Sequence, residues 1–126
     1  MKLLLDTHAF VWATTQPERL SAQALDAITD RTNVVMASAI CAYELALKRP
    51  RDPELQRMPP DLDEAVTGQD FLWLSVTAHH AITAGRLPRL HGDPFDRILA
   101  AQAMIEQAAI VTCDPRLAAF GGVIVW

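Results

Sequence analysis

Five short apolar runs, separated by segments whose apolar residues recur at helical spacing, set the expected architecture of this chain. Lys2 to Leu5, Val34 to Ala37, Phe71 to Val76, Ala109 to Thr112 and Val123 to Trp126 are expected as strands. Most are continuous rather than alternating, the pattern of strands covered on both faces. Between them, Ser21 is placed to cap a helix reaching about Thr29, and Ser38 to cap a second that stops at Pro50. "DLDE" at 61–64 has capping-box spacing, and Thr77 opens a helix ending near Arg86, ahead of Pro88. Asp93 followed by Pro94 marks the start of a long helix to about Gln107. Strands alternating with helices predict an α/β fold, a mostly parallel central sheet of four to five strands flanked by helices. The 126 residues, half of them apolar, suffice for one such domain, 1–126, with a real core.

In a parallel α/β sheet, function gathers beyond the carboxyl ends of the strands, where the strand order switches. The acids can be placed against that rule. Asp6 ends the run "LLLDTH" just past the first strand, and Asp114, in "IVTCDP", follows the fourth. Glu44 stands about two turns into the helix after the second strand. Asp93 and Asp96 open the long helix that leads into the fourth. Acids remote in sequence are thereby expected at one rim.

Each acid also has a plain structural reading. Asp6 and Asp114 suit the caps of the helices that follow them, and Asp96 in a first turn suits the helix dipole. Asp93 is expected as a cap, with Arg97 as an ion-pair partner one turn on. Glu44 resists that treatment. In "SAICAYELALK", Ile40, Cys41, Tyr43, Leu45 and Leu47 fill the directions around it, so the helix is expected to be buried almost all round. A glutamate there is expensive unless paired, and Lys48 is the ordinary partner. Two carboxylates about 4 Å apart repel by roughly 4 kcal/mol at an effective dielectric near 20. A cluster of them calls for raised pKa values or a cation. Oxygen-only ligands favour Mg²⁺, with Mn²⁺ as a substitute, over zinc. Such an ion can polarise a phosphodiester and activate water.

With these residues in view, the chain resembles the PIN-domain ribonucleases, specifically the VapC toxin type of bacterial toxin–antitoxin pairs. The stretches that carry the likeness are "LLLDTHAFVWA", "ASAICAYELALK", "LPRLHGDPFDRILAAQAMIEQAAIVTCD" and the closing "VIVW". They cover most of the chain in the family's order. The resemblance implies a divalent-metal site, endonucleolytic cutting of RNA, a homodimer and restraint by a cognate VapB-like antitoxin. By position it assigns Asp6, Glu44, Asp96 and Asp114 as the catalytic and metal-binding acids, with Asp93 beside the third. Tyr43 stands where tryptophan is frequent, and "KRPRDPELQRMPP" lacks a glycine frequent after that helix. Neither departure touches the acids.

In the expected mechanism Asp6 and Asp96 bind the ion directly, and Glu44 and Asp114 act directly or through waters. Thr7 is either a supporting hydrogen-bond donor or a helix cap, and Ser38 is a cap before it is a supporting group. The net charge of −4 excludes RNA binding through bulk positive charge. Local clusters remain: Lys48, Arg49, Arg51 and Arg57, and then Arg86, Arg89 and Arg97. Of these, Lys48, Arg49, Arg51 and Arg89 are expected to hold RNA phosphates, with a solvated basic face as the alternative. His8 and His91 are expected as packing or supporting groups, and His79 and His80 point different ways on a helix.

The remaining features narrow the setting. Cys41 and Cys113 match no disulfide or metal spacing and are expected as buried thiols in a reducing cytoplasm. No stretch is long enough to span a bilayer, and "MKLLLD" reaches an acid too soon for a signal peptide. Phe10, Val11 and Trp12 in "HAFVWA" are expected in the core, with a partner interface as the alternative. A dehalogenase-type phosphatase would need an acid where His8 stands. Two competing readings persist: a metal-dependent DNA nuclease with the same acids, and a catalytically silent protein-binding module whose acids only cap helices.

Overall fold

The computed structural model describes residues 1–90 and 92–126. His91, expected as a packing or supporting group, lies outside the described residues. Strands β1 (Lys2–Leu5), β2 (Val34–Ser38), β3 (Leu72–Leu74), β4 (Ala109–Val111) and β5 (Ile124–Val125) form one sheet in the order β3-β2-β1-β4-β5. Every pairing is parallel, with Leu3 opposite Val35 on one side and Ala109 on the other. The chain runs outward from β1 to β2 and β3, then crosses to β4 and β5. The switch in strand order therefore falls beside β1, where Asp6 emerges.

Successive strand side chains point to opposite faces, and the sheet is buried on both. Leu3, Leu5, Val35 and Val111 pack with Phe10 and Val11 of α1 (Thr7–Thr15). Leu4, Met36 and Ile110 face the other way, onto Cys41 of α3 (Ala39–Lys48) and Leu99 of α6 (Pro94–Glu106). Leu3, Leu4 and Leu5 are fully buried, each contributing about 1.5–3 kcal/mol by leaving water. Phe10 and Val11 are core residues too, while Trp12 packs at the core's margin, so the interface alternative for "HAFVWA" falls away for the first two.

The remaining helices are α2 (Ala22–Thr29), α4 (Leu62–Thr67), α5 (Ala78–Arg86) and α7 (Pro115–Ala118). The expected caps form. Ser21 accepts from Ala24 N, Asp61 from Asp63 N and Glu64 N, and Thr77 exchanges bonds with His80 in a reciprocal capping box. β3 is shorter than expected: it is an edge strand whose pairing ends where Ser38 meets Leu74, so Ser75 and Val76 leave the sheet. Helix α3 ends at Lys48, and "KRPRDPELQRMPP" folds as two 3-10 turns, Arg49–Arg51 and Leu55–Arg57.

Three expectations need correction. α3 is not buried all round, because Tyr43 and Leu47 stand well exposed on its outer face. Cys113 is exposed rather than buried, since the chain leaves the sheet after Val111 and turns over the rim; Cys41 is buried as expected. Arg97 gives its guanidinium to the carbonyls of Ala84, Leu87 and Pro88 rather than pairing with Asp93, and so ties α6 to the end of α5.

Candidate active site

Asp6 is the N-cap of α1, held where β1 leaves the sheet. Its backbone N–H donates to Val111 O of the neighbouring strand (3.1 Å). Its Oδ1 accepts from Ala9 N (2.7 Å), and its Oδ2 accepts from the Thr112 hydroxyl (2.5 Å). The capping role is therefore real, but it does not satisfy the charge. Burial pushes the Asp6 carboxyl above its ordinary pKa, further raised by the nearby Asp96, against the downward pull of those hydrogen bonds and of His8. Desolvation outweighs two good hydrogen bonds here.

Glu44 reaches the same rim from α3. Its side chain is mostly buried, accepts from the Thr7 hydroxyl at 2.5 Å, and pairs with Lys48 at 2.5 Å. Thr7 is thus a tether between α1 and Glu44, not the cap, which is Asp6. The ion pair foreseen as the ordinary reading forms, and the Lys48 ammonium also lies 5.3 Å from the Phe95 ring centroid. Glu44 raises the Lys48 pKa, and Asp93 and Asp96 add to it. That ammonium consequently sits in the field of three acids from two helices.

Asp93 caps α6 through Phe95 N (2.8 Å) and Asp96 N (3.3 Å), which sets half-buried Asp96 in the first turn. Asp114 caps α7 through Arg116 N (2.9 Å) and pairs with the Arg116 guanidinium. Asp96 and Asp93 act electrostatically on Arg116 as well. Asp6, Glu44, Asp96 and Asp114 therefore come from four separate segments to one edge of the sheet. Among the described residues, no three acidic, histidine or cysteine side chains are gathered closely enough to hold a metal ion as they stand. Glu44 is closed on Lys48 and Thr7, and Asp114 on Arg116.

Among the described residues, Ser38 makes no hydrogen bond to the acids. It is fully buried, caps α3 through Ile40 N, and donates to Gln102 Oε1 at 2.6 Å. The cap reading is the one the geometry supports. Gln102 in turn donates to Ser75 O (3.2 Å), joining α3, α6 and the end of β3 behind the rim. Arg49 spends its guanidinium on the carbonyls of Met58 and Pro59, whereas Arg51, Arg57 and Arg89 are exposed. Sequence reasoning missed Thr112, whose hydroxyl donates to Asp6 and accepts from Asp114 N (3.0 Å), linking two of the acids. Its signal is the threonine two positions before Asp114 in "VTCD". Arg116 was missed as well.

An all-oxygen donor set, with one acid desolvated and another pressing on it, suits a hard divalent cation. The PIN domain family model matches residues 3–123, and the chain belongs to that family. Its relatives include Ribonuclease VapC22 of Mycobacterium tuberculosis, 32% identical over an alignment of 126 positions that covers 91% of this chain and 88% of the relative. Among solved structures, VapBC2 from Rickettsia felis bound to a promoter DNA fragment aligns with a TM-score of 0.65 at 18% identity, covering 98% of this chain and 96% of that one. FitAcB from Neisseria gonorrhoeae aligns at 0.61 and 18%, covering 97% and 95%. At that identity these two likenesses speak for the fold alone.

Proposed function

We propose that this protein is a Mg²⁺-dependent endoribonuclease, the toxin of a toxin–antitoxin pair. The observation that carries the reading is Asp6, a buried acid at the switch point whose pKa is raised by burial and by Asp96. Relatedness to Ribonuclease VapC22 supports RNA as the substrate. Asp6 and Asp96 would hold the ion, with Glu44 and Asp114 acting directly or through water. When bound, Mg²⁺ (or Mn²⁺) supplies positive charge at the phosphoryl oxygens and lowers the pKa of the attacking water.

The protein's own residues set the geometry. Thr112 and Ala9 N fix both oxygens of Asp6, and Thr7 aims Glu44 toward the rim. A carboxylate so placed orients water for in-line attack on phosphorus. Lys48 is positioned to exchange Glu44 for a phosphate when RNA arrives, and Arg51 and Arg89 lie on exposed surface suited to flanking phosphates. Arg49 supports them by holding the loop at Met58 and Pro59. The VapC likeness brings with it a VapB-like antitoxin, a homodimer and a cytoplasmic setting. Among the described residues no helix is long and apolar enough to cross a membrane.

Sequencing the 5′ ends of transcripts after brief expression tests this reading. Discrete new RNA ends that Asp6→Asn removes support it, whereas cuts confined to DNA favour the DNA nuclease. Absence of any cutting, with identical melting in Mg²⁺ and chelator, leaves a silent module whose acids only cap helices.

A further inference from the structure

We infer that the outer face of α1, beside Asp6, is a stacking subsite for one base of single-stranded RNA, built from His8 and Trp12 with Arg19 and Arg57 alongside. The inference rests on the proposed RNA cleavage and names where the nucleotide next to the cut is held. His8 is exposed, two residues beyond Asp6, and near enough for its charge to act on that carboxyl. Its ring centroid lies 5.6 Å from that of Trp12, tilted by 46°.

Trp12 is fixed from three directions. Its indole N–H donates to Glu54 Oε1 (2.7 Å), the Arg19 guanidinium lies 4.3 Å from the ring centroid, and Trp126 packs at 5.9 Å. Arg19 is itself paired with Glu54. The result is an aromatic step held in place before any ligand arrives, with little rotamer freedom left to lose. Core packing alone accounts for Trp126 and one side of Trp12, but not for the exposed imidazole added on the side toward Asp6.

A groove of about 330 Å³ continues from Arg19, lined by Gln16, Arg19, Pro53, Glu54 and Arg57. Two arginines against one glutamate leave it net positive, which suits the backbone of a nucleotide whose base sits on the step. Single-stranded RNA is recognised in this way: unstacked bases lie on aromatic rings while cations track the phosphates. Paired bases in a duplex present no free face.

The test uses a short single-stranded RNA that the protein cuts, with an abasic nucleotide substituted in turn at each position flanking the cut. One position should raise KM roughly tenfold or more, the usual weight of a base–aromatic stack, with kcat little changed. His8→Ala should raise KM for the intact RNA and erase that abasic penalty, while His8→Phe retains it. Arg57→Ala should weaken binding without altering the penalty. His8 is exposed, so these variants are expected to fold, as circular dichroism would verify. If RNA is cut but no abasic substitution matters, or His8→Ala leaves KM unchanged, the subsite is overturned while the nuclease reading stands. If no RNA is cut by the native chain, both fall together.

Discussion

Asp30, at the amino edge of the sheet, and Asp6, at its carboxyl edge, both accept hydrogen bonds from residues just downstream, yet their pKa values move in opposite directions. Asp30 is exposed, and Oδ1 takes bonds from the Thr32 backbone N (2.9 Å) and hydroxyl (2.7 Å), which lower its pKa. Asp6 has bonds of equal quality and is raised, because burial outweighs them. The amino edge even carries a hollow of about 620 Å³, lined by Asp30, Arg31, Gln69 and Asp70 among others. Its two acids are exposed. Space alone does not make chemistry. What distinguishes the carboxyl edge is charge brought from distant segments into a place where water cannot fully answer it.

The sharpest way to break that comparison is to neutralise one acid on each edge. Asp6→Asn should cut RNA cleavage by roughly 100-fold or more, the scale of losing electrostatic stabilisation at a transition state, while Asp30→Asn leaves the rate unchanged. Equal effects on the two edges would end the distinction. Next in size is Thr112→Val, which frees Asp6 Oδ2 and should weaken Mn²⁺ binding by about 10- to 100-fold, as the loss of a partner behind a ligand does; isothermal titration calorimetry reads it.

Lys48→Met should act in the other direction, with a smaller effect. Removing the resident ammonium opens Glu44, so Mn²⁺ affinity should rise severalfold while the KM for RNA worsens. Unchanged metal affinity would show that Glu44 takes no part in holding the ion.

The smallest effect is on pH. The folded pKa of Asp6 lies above its unfolded value, so its contribution to stability is fully present below the unfolded pKa and is lost as pH rises through the folded one. Metal-free protein should accordingly gain a few degrees of Tm at neutral pH on Asp6→Asn. Saturating Mg²⁺ should reverse the order, since a ligand at 100 times its Kd stabilises the native state by about 2.7 kcal/mol. Asp30, lowered, contributes above its unfolded pKa and loses that contribution only as the solution becomes acid.

Much of the fold was legible because its signals are local. Continuous runs such as "LLL" predict strands buried twice over, and Ser21, Ser38, Thr77 and Asp93 each open a helix where their side chains meet free N–H groups. Acids placed after strands, together with the parallel sheet, predict one shared rim. Less legible was anything that depends on which side of a helix faces out. Tyr43 and Leu47 are apolar yet exposed, so the apolar residues of α3 overstated the burial of the helix, although Glu44 itself is mostly buried. Partners remote in sequence were equally hidden: nothing local joins Thr112 to Asp6, 106 residues away, or Ser38 to Gln102. Cys113 reads as core by composition and proves exposed because β4 ends two residues before it.

The most direct measurement is Mn²⁺ binding followed by electron paramagnetic resonance, with native protein and Asp6→Asn compared at neutral pH. The account predicts that native protein removes free Mn²⁺ from solution in saturable fashion, and that Asp6→Asn leaves the free signal intact. Native protein that binds no Mn²⁺, or a variant that binds it equally well, would contradict the account.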